Sequence, residues 1–98
     1  MYAIHIFMEF EWDERKAETN ASKHGVTFEE AMSCFYDPQQ IAFYDPDHSN
    51  NEDREIMIAH SNKGQLVLVV YTIRGDVIRL ISARLTTKQE AKNYAQRI

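Results

Sequence analysis

Two apolar runs near the end of the chain are joined by only three residues. Gln65 to Ile73 is nearly all apolar, with Leu66-Val67-Leu68-Val69-Val70 at its heart. Val77-Ile78-Arg79-Leu80-Ile81-Ser82-Ala83-Arg84 follows after Arg74-Gly75-Asp76. So short a connection makes a tight turn and forces the runs to pair antiparallel. The first run is therefore predicted to be a central strand. The second reads as a buried strand that carries two arginines and a serine. An unpaired buried charge costs several kcal/mol, so something anionic must answer these guanidinium groups. An internal carboxylate or an outside phosphate would each suit the planar fork of arginine.

The rest of the chain supplies more strands and three helices. Tyr2, Ile4, Ile6, Met8 and Phe10 alternate with Ala3, His5, Phe7, Glu9 and Glu11, a strand pattern. Asp13 caps a polar helix running to His24, with Gly25 as its left-handed stop. Only Ala17 and Ala21 mark its apolar side. Thr27 and Glu30 form a capping box for a second helix, with Val26 stapled to Ala31. Its predicted buried stripe is Phe28, Ala31, Met32 and Phe35, and Asp37-Pro38 ends it. Short strands are expected from Gln40 to Tyr44 and from Arg54 to His60, with a polar loop over Asp45 to Asp53 between them. Ser61-Asn62-Lys63-Gly64 is a turn. A last helix is capped by Thr86 with Gln89 or by Thr87 with Glu90, and presents Ala91, Tyr94, Ala95 and Ile98. The order β-α-α-β-β-β-β-α predicts a single α+β domain over residues 1–98. Its sheet is an antiparallel meander with helices packed on one face.

The composition, 44% hydrophobic and 27% charged, is that of an ordinary globular domain. Cys34 is the single cysteine, which excludes an internal disulfide and fits a reducing cytoplasm. The first residues lack the basic start of a signal peptide. No apolar run approaches the ~18–20 residues of a membrane helix. The net charge of −4 hides an asymmetry. Residues 1–53 carry three basic residues against twelve acids, and residues 54–98 carry eight against three. That pattern fits a basic surface on an acidic body, or acidic helices neutralising a basic sheet.

Several short stretches, taken in order, resemble the BrnT toxin family. They are Phe10-Glu11-Trp12-Asp13, Lys16, Asn20, Lys23-His24-Gly25-Val26 and Phe28-Glu29-Glu30-Ala31, then Asp45-Pro46-Asp47-His48 ahead of an acidic residue and Arg54. Val69-Val70-Tyr71-Thr72, Arg74-Gly75-Asp76, the strand from Ile78 to Arg84, and Tyr94 complete the pattern over residues 10–97. The resemblance implies a bacterial type II toxin–antitoxin system and a RelE-like fold. It implies a ribonuclease that arrests translation, alone or on the ribosome. It also implies a BrnA-like antitoxin with a ribbon-helix-helix DNA-binding part, in an assembly with two toxin copies that represses its own operon. Two departures stand out. The run Leu85-Thr86-Thr87-Lys88-Gln89-Glu90 is only mildly basic, which points to weaker RNA binding or a larger target, because phosphate contacts supply most nucleic-acid affinity. The N-terminal strand also begins a few residues early.

RNA cleavage without a metal needs a base for the 2′-hydroxyl, cations for the charged phosphorane, and help for the leaving 5′-oxygen. The resemblance gives much of this work to arginines. Arg79 and Arg84 are the expected phosphate clamps and Arg54 a third cation. His24 is the proton-transfer candidate by its ordinary pKa near ~6.5, and Tyr94 a proton donor or stacking ring. Lys16, Lys23 and Lys88 are expected RNA contacts. Each has a structural reading beside it. Arg79 and Arg84 lie an odd number of residues apart, so strict alternation sets them on opposite faces. They reach one site only if a bulge intervenes or Arg84 lies beyond the strand end. One of them could instead pair with Glu29, Glu30 or Asp13. His24 precedes a helix-stop glycine, where the helix dipole favours a cation. Tyr94 lies on the apolar side of its helix, and Arg54 stands beside Glu52 and Glu55. The loop holding Asp45, Asp47, His48, Glu52 and Asp53 begins like an EF-hand, but Asn50 replaces the required glycine and Ile56 the closing glutamate. No metal or cofactor is expected. A second function class is a non-catalytic module that docks on the ribosome or acts as corepressor with its antitoxin.

Overall fold

The computed structural model describes residues 8–45 and 53–97. Its elements run β1 (Glu9–Glu11), α1 (Glu14–His24), α2 (Phe28–Cys34), β2 (Ile41–Asp45), β3 (Arg54–His60), β4 (Leu66–Arg74), β5 (Val77–Leu85) and α3 (Lys88–Gln96). The order matches expectation, and so do the caps of α1 and α3, while residues 1–7 of the expected first strand lie outside the described residues. Asp13 accepts from the backbone N–H groups of Arg15 and Lys16, and Gly25 takes φ 71° to stop α1. Thr87 and Glu90 form the complete capping box of α3. At α2, Thr27 accepts from the Glu30 N–H, but the buried Glu30 carboxylate turns to Ser61 Oγ at 2.7 Å instead of reaching back. That bond ties α2 to the β3–β4 turn.

The five strands lie in the order β1-β5-β4-β3-β2. β2 to β5 form the expected antiparallel meander. Two details differ. β1 runs parallel to β5, Glu11 opposite Arg79, so the sheet is mixed. The helices also cover both faces. β4 is apolar at consecutive positions, so its alternating side chains need cover on each side. On one face α2 and the α1–α2 link bury Val26, Phe28, Ala31 and Cys34 against Met57, Ala59, Val67, Val69, Tyr71, Leu80 and Ala83. Phe35 sits edge-on between Phe10 and Tyr71, with ring centres 5.1 and 4.9 Å away. On the other face α3 sets Tyr94 on Ile58 and Leu68.

The polar character of α3 explains how it is held. Tyr94 is its one buried residue. The Tyr94 hydroxyl donates to Asp37 Oδ2 at 2.8 Å and meets His60 Nδ1 at 3.1 Å. Arg97 lies over the Tyr94 ring at 5.0 Å and donates to the Gln39 carbonyl and side-chain oxygens. Arg84 grips Glu90 with both terminal nitrogens, at 2.8 and 2.9 Å. Burial pushes the Asp37 carboxyl up, but the His60 and Gln39 N–H groups, the Tyr94 hydroxyl and the His60 charge outweigh it and hold it low. The Arg84 hydrogen bonds hold Glu90 low against the opposing effect of burial, with help from Thr87.

A carboxyl lowered on folding adds stability at pH above its unfolded value, and that stability is lost as pH falls through the folded value. Docking of α3 is therefore expected to be intact above about pH 5 and to loosen progressively in more acid solution. Tyr94→Phe removes a donor to Asp37 and should move the loosening to higher pH. Amide NMR signals of α3 followed down the pH scale report this, and an acid transition unchanged in Tyr94→Phe would refute the assignment.

Candidate nucleic-acid interface

The feature that builds the site is a bulge in β5. Val70 lies opposite Ser82, but the next residue, Tyr71, lies opposite Leu80. Ile81 is thus the extra residue. The bulge resets the alternation. Arg79 faces Thr72 and Arg84 faces Leu68, so both share the sheet face opposite α1 and α2, with Ser82 between them. Four ladder positions separate the two arginines, roughly 13 Å of strand.

Arg84 lines a groove of about 390 Å³ with Arg54, Asp45, Ser82 and Glu90 over a floor of Ile56, Leu68 and Val70. The fork of Glu90 raises the Arg84 pKa further, so its charge is permanent. Arg54 stands opposite Asp45 across the β2–β3 pair. Arg79 lies on the same face but beyond this groove. Its Nη1 is 3.4 Å from Glu11 Oε1, and Arg74 approaches the same oxygen at 3.7 Å. Such part-exposed pairs are worth at most about 1 kcal/mol, so a phosphate can compete for them. The internal partners are therefore Glu11 and Glu90. Of the expected acids, Asp13 caps α1 and Glu30 holds Ser61.

On the other side of the bulge, α1 presents a basic face. Arg15, Thr19 and Lys23 form one helical row and Lys16, Asn20 and His24 the next. These six residues and Ile81 line a second concave surface of about 270 Å³. Ile81 borders both grooves, so they meet at the bulge. Lys16, Lys23 and His24 are thereby brought together, joined by Arg15, whose place in the row was readable from its spacing to Lys23. Lys23 and His24 also sit in the last turn of α1, where the helix dipole favours cations.

Asn20 holds this arrangement together. β1 covers β5 only as far as Arg79, so the outer edge of β5 is open from Leu80 onward. The buried Asn20 side chain takes the place of a strand there. Its Nδ2 donates to the Ala83 carbonyl at 2.8 Å and to the Val26 carbonyl at 2.9 Å, and its Oδ1 accepts from the Ala83 N–H at 3.0 Å.

The remaining expected residues lie apart. Tyr94 lines neither groove, and its hydroxyl, expected to face substrate, donates to Asp37. Lys88 is exposed at the start of α3 and lines neither groove. Most of the acidic loop weighed as a metal site, residues 46–52, falls outside the described residues. Among the described residues no cluster of three or more His, Cys, Asp or Glu could hold a metal ion, and no helix is long and apolar enough to cross a membrane.

Comparison with known proteins agrees with the resemblance read from the sequence. A crystal structure of the Brucella abortus ribonuclease toxin BrnT superposes with a TM-score of 0.57 at 26% identity, over 84% of this chain and 100% of that one. No curated protein sequence matches. The family profile described as the ribonuclease toxin BrnT of type II toxin–antitoxin systems matches residues 12–90, so the chain belongs to the BrnT family of ribonuclease toxins.

Proposed function

We propose that the chain is an endoribonuclease that cleaves RNA without a metal ion and thereby inhibits translation. A BrnA-like antitoxin with a ribbon-helix-helix DNA-binding part would neutralise it, in an assembly with two toxin copies. The observation that carries this reading is the Ile81 bulge, which sets Arg79 and Arg84 on one sheet face and borders both the Arg84 groove and the basic groove of α1. In the proposed reaction the 2′-oxygen attacks the adjacent phosphorus and its proton passes to a base, for which His24 is the candidate. The bond to the 5′-oxygen then breaks and that oxygen takes up a proton. The products are a 2′,3′-cyclic phosphate and a 5′-hydroxyl. Arg84, Arg54 and Arg79 offset the extra charge of the phosphorane, a contribution that oriented cations make without metal chemistry. Arg15, Lys16 and Lys23 hold flanking phosphates, with Lys88 further out. Tyr94 serves by docking α3.

A second reading is a non-catalytic module that docks on the ribosome or acts as corepressor. It is favoured by the carboxylate partner that each of Arg79 and Arg84 already has. Incubating the isolated chain with RNA in excess EDTA separates the two. Cleavage with cyclic-phosphate ends is expected. Intact free RNA that stays intact when ribosomes are added would leave the non-catalytic reading.

A further inference from the structure

We propose that Glu90 is a positioning residue of the RNA site: it grips Arg84 end-on so that the second fork of the guanidinium is presented to a phosphodiester. The proposal rests on the RNA-binding part of the reading above and adds a residue that neither periodicity nor charge suggested. A guanidinium has five N–H donors. In Arg84 three of them are taken. Nη1 and Nη2 each donate to a different Glu90 oxygen, and Nη1 also donates to the Leu85 carbonyl at 3.2 Å. The two left over, on Nε and Nη2, lie side by side on one edge and meet no acceptor among the described residues. That edge has the spacing of two phosphate oxygens. Both Arg84 and Glu90 line the groove with Arg54 and Ser82.

Glu90 is itself held still. Its Oε1 accepts from the Thr87 N–H at 2.8 Å and its backbone N–H donates to Thr87 Oγ1 at 3.2 Å. The capping box that starts α3 is therefore also the clamp that aims Arg84. A long arginine loses rotamer freedom when it binds a phosphate, and an arginine fixed beforehand has already lost it. Glu90→Gln keeps an oxygen for the Thr87 N–H but turns an amide N–H toward one Arg84 nitrogen, so the fork is lost and the cap is kept.

The test is NMR of the whole chain with ¹⁵N-labelled arginine, titrated with a short RNA whose 2′-hydroxyls are replaced by hydrogen. The Arg84 Nε–H signal is assigned by its absence in Arg84→Lys. In the native chain that signal is expected to shift on saturation. In Glu90→Gln the shift should be lost and affinity should fall about tenfold, the scale of one charge-assisted hydrogen bond. In the Arg84→Lys background Glu90→Gln should change affinity less than about twofold, because positioning acts only through the fork. Binding without an Arg84 shift, or no binding, overturns the proposal. So does equal or tighter binding by Glu90→Gln, the result if Glu90 only competes with phosphate. Equal weakening in both backgrounds would mean a damaged cap and would also overturn it. Cleavage is read separately: a chain that passes these tests yet leaves ordinary RNA intact refutes the nuclease and leaves the role of Glu90 standing.

Discussion

Arg84→Ala is expected to lower RNA cleavage by roughly a hundredfold, the usual loss when one preorganised donor to a developing anion is removed. Arg84 is the arginine whose geometry is already fixed, by the Glu90 fork at 2.8 and 2.9 Å. Arg84→Lys should recover little, since an ammonium keeps the charge but presents no paired donors. Arg79→Ala should cost less, about tenfold, because its single approach to Glu11 is longer and leaves it poorly oriented. The fold should survive. The Arg84 side chain is 38% exposed and that of Glu90 23%, so solvent can reach the orphaned carboxylate. The stability loss should stay at about 1 kcal/mol. Single-turnover cleavage of a defined RNA, with circular dichroism on the same samples, separates the two effects. Full activity in folded Arg84→Ala would remove this groove from the chemistry.

Local signals in this sequence are legible and distant ones are not. β3, β4 and β5 were legible because Ser61 to Gly64 and Arg74 to Asp76 punctuate apolar runs. Asp13, Thr27 and Thr87 announce their helices because capping is a bond between near neighbours. The parallel pairing of β1 left no mark, since three residues bond to a strand more than sixty positions away. The bulge left none either. Ile81 is an ordinary strand residue, and only the register of its partners reveals it as extra. The site followed the same rule. The basic row on α1 is periodic and could be counted, which places Lys16, Lys23 and His24 together. The partner of Arg84 could not be read, because it depends on α3 folding back over the open face. Tyr94 reads as a site residue in the family pattern, and here its hydroxyl ties Asp37 to α3.

Asn20 is where local and distant signals part most sharply, and its replacement should have the largest effect on stability. The family pattern includes it, but by periodicity it is one more polar residue on a polar helix. In the fold it is 6% exposed and completes the edge of β5. Asn20→Ala would leave the Ala83 N–H, the Ala83 carbonyl and the Val26 carbonyl without their partner. Each buried group left unpaired costs about 1–3 kcal/mol, so a total near 4 kcal/mol is expected. A domain of this size has about 5–15 kcal/mol in all. Asn20→Asp should be no milder, because it sets an oxygen where Nδ2 now donates to two carbonyls. Urea unfolding should show the midpoint falling at unchanged slope. A loss below about 1 kcal/mol would mean that water closes the edge as well as the amide does. The same edge carries Ile81 and Arg84, so the substitution should also loosen the bulge. Activity measured well below the unfolding midpoint should then fall further than the folded fraction explains. Activity that tracks the folded fraction alone would show that Asn20 supports the fold and leaves the aim of Arg84 to Glu90.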